Sequence, residues 1–328
     1  MATRHRILLY TSDGSTSYAQ GYLRDAGLEE EFELTGIAHA PMTVPAAEQV
    51  AGHEAILGEL MPVRDEAVDM MAHAGIRLIA SLSIGLNHMD VAGLARQGVL
   101  TSNCPGYCAE DVALHTIALM LDLERQVTFS NRTVVGGAWD PHQGYEMHRT
   151  QEQTLGLVFF GNIARAVVPI ARAMGMRVLV WAPTKSAGEL AEAGCAQAAT
   201  LDELLAALDV VSLHCPLIPQ TERLIGPHEL AVMKSTAFLV NTSRGPVIDE
   251  DALADALDAG QIQAAALDVL ADEGAHRNQR LINHPRCVVT PHAAYVSREA
   301  SDALIRMGLD AVIELLVEGC EPTNVVCA

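Results

Sequence analysis

The chain has 328 residues, half of them hydrophobic, so it can bury a large core and is long enough for two domains. A formal net charge of -20 without a cluster of Lys or Arg argues against binding to nucleic acid or to an anionic membrane. Since no apolar run approaches the roughly 18 residues of a membrane span, and the N-terminus lacks a hydrophobic signal region, we expect a cytoplasmic protein.

The seven cysteines are scattered along the chain, at positions 104, 108, 195, 215, 287, 320 and 327. Their odd number and their spacing fit neither a disulfide framework nor a metal site, which predicts free thiols. The thirteen histidines form no HExxH or comparable ligand pair. We therefore predict no metal site.

The first part of the chain alternates short apolar runs with polar, helix-like stretches. The runs at 6–11, 32–38, 55–60 and 77–82 predict strands, and helices between strands indicate a parallel sheet. The fourth run ends in Ser83, Ile84 and Gly85, ahead of a helix that is predicted to begin near Asp90. Backbone N–H groups in such a loop could hold a small anion.

A helical pattern follows from 109 to about 128 and is apolar on most sides, which predicts a buried helix. His115 lies within it and is expected to be a hydrogen-bonded core residue rather than a catalyst. The stretch from 136 to 150 is rich in turn residues and predicts the approach to the next strand.

At 154–165, TLGLVFFGNIAR, a continuous apolar run changes at a glycine to helical spacing, which predicts a buried strand that turns tightly into a helix. The N-terminus of such a helix, here Gly161, Asn162 and Ile163, offers free N–H groups to a dinucleotide pyrophosphate. Ala164 fits the third position of the G-x-G-x-x-G/A fingerprint, but Phe159 occupies its first. The alternative is a strand and helix of an ordinary α/β core.

The strand predicted at 177–181 leads to Ala182, where a dinucleotide site usually carries an acid for the ribose hydroxyls. Thr184 and Lys185 follow and could instead accept a 2'-phosphate, which favours NADP over NAD. A solvated loop is the alternative for these residues.

Three later strands are predicted to deliver Arg244, Asp268 and His292 at their C-terminal ends, where open parallel sheets bind ligands. An arginine can bind a carboxylate in bidentate fashion, and a histidine beside a carboxylate such as Glu273 can donate a proton near neutral pH. Together these groups suit the reduction of a 2-oxo acid, with the arginine on the substrate carboxylate and the histidine protonating the developing alkoxide.

Seven ordered segments, which cover most of the chain from about 77 onward, resemble the D-isomer-specific 2-hydroxyacid dehydrogenase family. They are SIGLNHMD at 83–90, NCPGYCAEDVALH at 103–115, TLGLVFFGNIAR at 154–165, VVSLHCPL at 210–217, MKSTAFLVNTSRGPVIDEDAL at 233–253, ALDVLADE at 266–273 and VVTPHAAYVS at 288–297.

The resemblance implies catalytic roles for Arg244, Glu273 and His292. It also implies an Asp268 beside the nicotinamide and a substrate carboxylate bound by the backbone of the loop from Ser83 to Gly85. Tyr295 is expected to line the substrate pocket. Family members are commonly homodimers.

The fold that the resemblance implies is α/β, with two open parallel-sheet domains, Rossmann-like and flavodoxin-like, linked by two crossing helices near 104–128 and 297–317. The substrate domain would comprise 1–103 and 298–328, and the nucleotide-binding domain 104–297.

Three positions depart from the family pattern: Phe159, Ala182, and Gly274 where a proline usually follows the glutamate. The Phe159 side chain would crowd the pyrophosphate, or the residue would take a β conformation and reshape the turn, because a residue other than glycine avoids positive φ. Two other functions therefore stay open. One is a cofactor-independent lyase or hydratase that uses the Arg, Glu and His site, and the other is a non-catalytic binding protein like the C-terminal binding protein corepressors.

Overall fold

The computed structural model describes residues 4–40, 42–142, 144–274 and 276–326. The chain divides into two units, one formed by 1–107 with 297–328 and the other by 108–296. No helix in the described part of the chain is both long and apolar enough to cross a bilayer. The six described cysteines are free thiols, and Cys327 lies outside the described residues.

The first unit is built on a five-stranded parallel sheet in the order β2-β1-β3-β4-β5. Its strands are β1 (His5–Thr11), β2 (Phe32–Ala38), β3 (Ala55–Gly58), β4 (Leu78–Ser81) and β5 (Leu100–Ser102). All residues of β3 and β4 are buried, as expected for the centre of a sheet that is covered on both faces. The predicted strands at 6–11, 32–38, 55–60 and 77–82 are confirmed to within two residues at each end.

The helices of this unit are α1 (Ser17–Asp25), α2 (Ala47–Val50), α3 (Glu66–His73), α4 (Val91–Arg96) and the long α13 (Arg298–Ile313). The side chain of Asp90 accepts the Gly93 amide at 2.8 Å and so caps α4, which confirms the predicted start of that helix. α13 packs on β3 and β4 and continues as a π-helical turn, Glu314–Glu318.

The second unit is built on a seven-stranded parallel sheet in the order β12-β11-β10-β9-β6-β7-β8. Its strands are β6 (Thr154–Val158), β7 (Arg177–Trp181), β8 (Ala196–Gln197), β9 (Val210–Leu213), β10 (Phe238–Asn241), β11 (Ala264–Leu267) and β12 (Cys287–Val289). The sheet reverses its winding between β6 and β9, and such a switch point is where open α/β sheets bind ligands.

In the described part of the second unit the helices are α5 (Ala109–Arg125), α6 (Val127–Val135), α7 (Asn162–Ala173), α8 (Ala187–Glu192), α9 (Leu201–Ala207), α10 (Pro227–Val232), α11 (Glu250–Asp258) and α12 (Gln279–Asn283). α5 ends earlier than the predicted position 128, because Gln126 adopts a left-handed backbone (φ 53°) that its side chain stabilises by donating to the Tyr145 carbonyl oxygen at 2.7 Å. α6 was not predicted.

Candidate active site

A histidine that follows β12 and a glutamate that follows β11 are joined by a hydrogen bond. His292 Nδ1 lies 2.9 Å from Glu273 Oε2, and both side chains are partly exposed. The Tyr295 ring lies nearly perpendicular to the imidazole, with the ring centroids 6.1 Å apart. Since no described residue bonds to His292 Nε2, that nitrogen is available to a ligand. A carboxylate on Nδ1 and a free Nε2 is the arrangement of an oriented proton donor.

The backbone of His292 is held by Asp268, which follows β11 and is only 1% exposed. The His292 amide donates to the Asp268 carbonyl oxygen at 2.7 Å, while the Asp268 carboxylate accepts the amides of Ala293 at 2.9 Å and Ala294 at 3.0 Å. The Thr290 hydroxyl also donates to this carboxylate, at 2.5 Å. Asp268 therefore shapes the turn that carries His292.

Arg244 follows β10, the strand beside β11, in a turn that is organised by the fully buried Asn241. Asn241 Nδ2 donates to the Arg244 carbonyl oxygen at 3.0 Å, and Asn241 Oδ1 accepts from the amide of Ser243 at 2.9 Å and from its hydroxyl at 2.8 Å. One guanidinium nitrogen of Arg244 donates to the Ser243 carbonyl oxygen at 2.6 Å, which leaves the other N–H groups for a ligand.

The same turn passes very close to the segment that leads to Glu273. A Cβ atom on Gly245 would lie 1.9 Å from the carbonyl carbon of Leu270, so only glycine fits there. The Ala271 amide in turn donates to Glu250 Oε1 at the start of α11. These contacts fix the backbone of the arginine turn against the backbone of the glutamate segment.

In the first unit, the loop after β4 is fixed from several sides. The Ser83 hydroxyl donates to the Gly85 carbonyl oxygen at 3.0 Å, and the Asn103 side chain donates to the Ile84 carbonyl oxygen at 2.8 Å. No described residue accepts a hydrogen bond from the amides of Ile84 and Gly85. The loop thus keeps backbone donors free, as an anion site requires.

The strand-to-helix turn at 159–163 keeps the conformation that a glycine would give it. Phe159 has φ 71°, so the expectation of a β conformation there is wrong. Its amide donates to the Trp181 carbonyl oxygen at 2.8 Å, and its ring packs edge-on against the Trp181 ring at 5.8 Å. These two contacts hold a bulky residue in a backbone region that it normally avoids.

Beyond Phe159 the turn is open. Nothing lies within 4 Å of a Cβ placed on Gly161, and the first hydrogen bond of α7 runs from the Arg165 amide to the Gly161 carbonyl oxygen. The earlier amides, including those of Asn162 and Ile163, are therefore free at the positive end of a twelve-residue helix. An open glycine and free helix N–H groups fit the pyrophosphate of a nicotinamide dinucleotide.

At the end of β7, Ala182 is buried and provides no carboxylate for a ribose. Thr184 is exposed, whereas the Lys185 ammonium pairs with Glu189 Oε1 at 3.2 Å. The other carboxylate oxygen of Glu189 accepts from the Ser186 amide at 3.0 Å and from its hydroxyl at 3.1 Å. These hydrogen bonds and the lysine lower the pKa of Glu189, so this carboxylate is charged at neutral pH.

Three residues that support the site were not predicted in that role: Asn241, Thr290 and His115. Asn241 and Thr290 are polar residues directly at or after strand ends, which is the only sequence signal they carry. His115 was expected to be a bonded core histidine. It is partly exposed, with Nε2 3.1 Å from Thr290 Oγ1 and 3.5 Å from Asp268 Oδ1.

A family model described as D-isomer specific 2-hydroxyacid dehydrogenase, NAD binding domain, matches residues 117–294, which is more than half of the chain. The chain belongs to this dehydrogenase family. It is 33% identical to a hydroxypyruvate reductase of Blautia hydrogenotrophica over 256 residues, which are 76% of this chain and 78% of the relative. It is 35% identical to a glyoxylate reductase of Aeropyrum pernix, over 79% of this chain and 78% of the relative.

Among solved structures, the TT0316 protein of Thermus thermophilus is similar to this dehydrogenase with a TM-score of 0.84 and 32% identity, over 98% of this chain and 100% of the other. The predicted family and the predicted pair of parallel-sheet α/β domains are thus confirmed. As a member, the dehydrogenase is an oxidoreductase that uses a nicotinamide cofactor on a 2-oxo acid and 2-hydroxy acid pair. These findings support this function over the lyase and corepressor alternatives.

Proposed function

We propose that this dehydrogenase reduces a short 2-oxo acid to the D-2-hydroxy acid, with Arg244, Glu273 and His292 as its catalytic residues. The observation that carries the proposal is the His292 imidazole, which is bound through Nδ1 to Glu273 and leaves Nε2 free. The second unit would bind the nucleotide, and in the first unit the free amides of the loop from Ser83 through Ile84 to Gly85 would bind a carboxylate.

In this mechanism the Arg244 guanidinium binds the substrate carboxylate and polarises the adjacent carbonyl group. The bound nicotinamide supplies the hydride. His292 Nε2 donates its proton to the oxygen as negative charge develops there, and Glu273 keeps the imidazole oriented and stabilises its protonated form. Tyr295, whose ring lies nearly perpendicular to the imidazole, would limit the space beside the reacting carbon.

For the substrate we propose glyoxylate or hydroxypyruvate, because two relatives that share about a third of their sequence are named for these acids. The test is the reduction of each acid by the purified protein, which is monitored by the loss of nicotinamide absorbance. Chiral analysis of the product applies to hydroxypyruvate and pyruvate, because the product of glyoxylate has no stereocentre. Failure to reduce glyoxylate, hydroxypyruvate and pyruvate with either cofactor, or formation of the L-product, would refute the proposed reaction.

For the cofactor we propose NADP in preference to NAD. Support comes from the buried Ala182 in place of an acid, and from the Thr184 hydroxyl and Lys185 ammonium that follow it. The Glu189 carboxylate opposes this preference, because it already pairs with Lys185 and would repel a 2'-phosphate. The phosphate must therefore displace Glu189 from the lysine.

The cofactor proposal can be tested by calorimetric titration with NADPH and NADH. Lys185→Ala is expected to weaken NADPH binding and leave NADH binding unchanged. Glu189→Gln should strengthen NADPH binding, because it removes a negative charge that repels the 2'-phosphate. Glu192→Gln, which changes another charge of the same helix, is the matched control. Tighter binding of NADH than of NADPH by the wild type would contradict the preference.

We also propose a homodimer. Six large apolar side chains that are exposed in the single chain lie between 114 and 147, among them Val135 at 81% and Trp139 at 88% exposure. A segment with this many exposed large apolar side chains is typical of an interaction surface. Sedimentation equilibrium should show a dimer for the wild type and a monomer for the double variant Val135→Glu with Trp139→Glu. Ile218→Glu, at an exposed apolar position elsewhere, is the control and should leave the dimer intact.

The cytoplasm remains the proposed location, because free thiols are usual there.

A further inference from the structure

The His115 side chain projects from α5 toward the end of β12, where His292 is carried. His115 Nε2 lies 3.1 Å from Thr290 Oγ1 and 3.5 Å from Asp268 Oδ1, and a quarter of the side chain is exposed. None of the roles proposed above uses it. Its two neighbours are the residues that shape the turn of the proposed proton donor.

The hydrogen atoms in this cluster can be assigned from the acceptors. An ionised aspartate can only accept, and Asp268 Oδ1 lies 2.5 Å from Thr290 Oγ1, so the single hydroxyl hydrogen of Thr290 points to Asp268. The hydroxyl oxygen can then only accept from His115. His115 Nε2 must therefore carry a hydrogen. A series of two hydrogen bonds runs from the donor His115 through Thr290 to the acceptor Asp268.

Asp268, the last residue of this series, holds the backbone of His292 in its conformation. His292 has φ 52°, a left-handed conformation that is unfavourable for a residue with a side chain. It is maintained because the carboxylate of Asp268 accepts the amides of Ala293 and Ala294, and its carbonyl oxygen accepts the amide of His292. An Asp268 side chain that rotated would release these amides and the turn.

We propose that His115 is a positioning residue for His292. Its N–H group fixes the Thr290 hydroxyl, which keeps the Asp268 carboxylate in the orientation that holds His292 in its left-handed conformation and its Nδ1 on Glu273. This inference rests on the proposed role of His292 as the proton donor. The clearest substitutions are His115→Leu, which removes the donor, and His115→Gln, which keeps an N–H group in reach of Thr290.

The test is a single-turnover reaction with the full chain in excess over NADPH or NADH and with saturating glyoxylate or hydroxypyruvate. The amplitude of the first phase reports the fraction of the limiting cofactor that is bound in competent sites, and the rate constant reports the reaction in each site. His115→Leu is expected to lower the rate constant roughly ten- to a hundredfold at unchanged amplitude, as a small displacement of a reacting group does. His115→Gln should restore most of the rate.

Thr290→Val breaks the same series one step later and should have an effect similar to that of His115→Leu. The double variant should then be no slower than either single variant, because both act through one connection. His228→Leu, at an exposed histidine, is the matched control.

A rate constant that is unchanged in His115→Leu, or a loss of amplitude and thermal stability alone, would overturn the positioning role. So would additive effects of the two substitutions. Absence of turnover in the wild type with every 2-oxo acid would instead refute the proposed reaction, which keeps the two failures distinguishable.

Discussion

Glu273 Oε2 contacts His292 at Nδ1, 2.9 Å away, and so leaves the opposite nitrogen of the imidazole free. Both residues lie after neighbouring parallel strands, β11 and β12, yet 19 positions separate them in the chain. Because the carboxylate can only accept, it selects the imidazole forms that carry a hydrogen on Nδ1. Nε2 can then lose its proton to a substrate while Nδ1 keeps its own.

His292→Ala is expected to lower kcat for the reduction by about 10² to 10⁴, the usual contribution of a general acid. Since His292 has a left-handed backbone, His292→Asn is the better matched variant, because asparagine tolerates that conformation. Steady-state kinetics with circular dichroism would check both. Turnover near that of the wild type in either folded variant would remove His292 from the mechanism, and His228→Ala serves as the control.

Arg244→Lys should raise the KM for the 2-oxo acid about 10- to 100-fold, equivalent to the roughly 1.5–3 kcal/mol of a hydrogen bond to a charged group. The physical reason is that a lysine carries the charge but lacks the planar pair of N–H donors. Arg223→Lys, at an exposed ion pair with Asp249, should leave the KM unchanged. An unchanged KM in Arg244→Lys would mean that the carboxylate is bound elsewhere.

Phe159→Gly should tighten cofactor binding about tenfold, or roughly 1.4 kcal/mol, by removing a ring next to the open helix terminus. Its stability should change little, because relief of about 1–2 kcal/mol of left-handed strain offsets the lost packing on Trp181.

Phe159→Ala separates these two effects, since it loses the ring but keeps the strain. It should bind the cofactor like Phe159→Gly and melt at a lower temperature than the wild type. Calorimetry and thermal denaturation measure both properties. Weaker cofactor binding in both variants would show that the ring contributes to the site instead of crowding it.

Because of the buried Glu124 in α5, we expect the free energy of unfolding to fall as the pH rises. It is 1% exposed, its Oε1 has no partner among the described residues, and burial raises its pKa, against the opposing effects of the Thr150 hydroxyl and Arg125. An acid whose pKa is raised on folding binds more protons when folded, so stability is complete below the unfolded pKa and declines as the pH rises through the folded pKa.

Glu124→Gln should abolish this decline and stabilise the protein above neutral pH by about 1–3 kcal/mol, the cost of an unsatisfied buried group. Melting temperatures between pH 5 and 8.5 would show it, with Glu110→Gln at an exposed position of the same helix as the control. A wild-type melting temperature that does not fall relative to Glu124→Gln across this range would contradict the prediction.

The strands and the residues at their ends could be predicted because a parallel sheet has a simple pattern. Runs such as 210–213 and 238–241 are apolar throughout, and the residues after them must lie on one edge of the sheet. The order of the strands therefore predicted that this edge carries Arg244, Asp268 and His292. Glu273 did not follow from the strand order, because it lies in an irregular segment six residues beyond β11. It was a candidate as a carboxylate that could pair with the histidine, and the family resemblance implied its catalytic role.

The conformations of Phe159, Gln126 and His292 could not be predicted, because all three have positive φ without being glycine. Local sequence argues against that conformation, and contacts that are distant in the chain enforce it: Trp181 for Phe159, Tyr145 for Gln126 and Asp268 for His292. The same is true of His115, which is 175 residues from Thr290 and carried only the signal of a buried helix.

The missing side chain of Gly245 also has an evolutionary consequence. Because its backbone touches that of Leu270, the guanidinium and the carboxylate partner of the imidazole are carried on two segments that cannot drift apart independently. Changes in substrate preference would then arise from substitutions in loops outside these two segments, such as the loop after β4. The reacting groups on the two segments would change only together. A library that randomises residue 245 together with 270–272 should accordingly yield active members only where residue 245 is glycine.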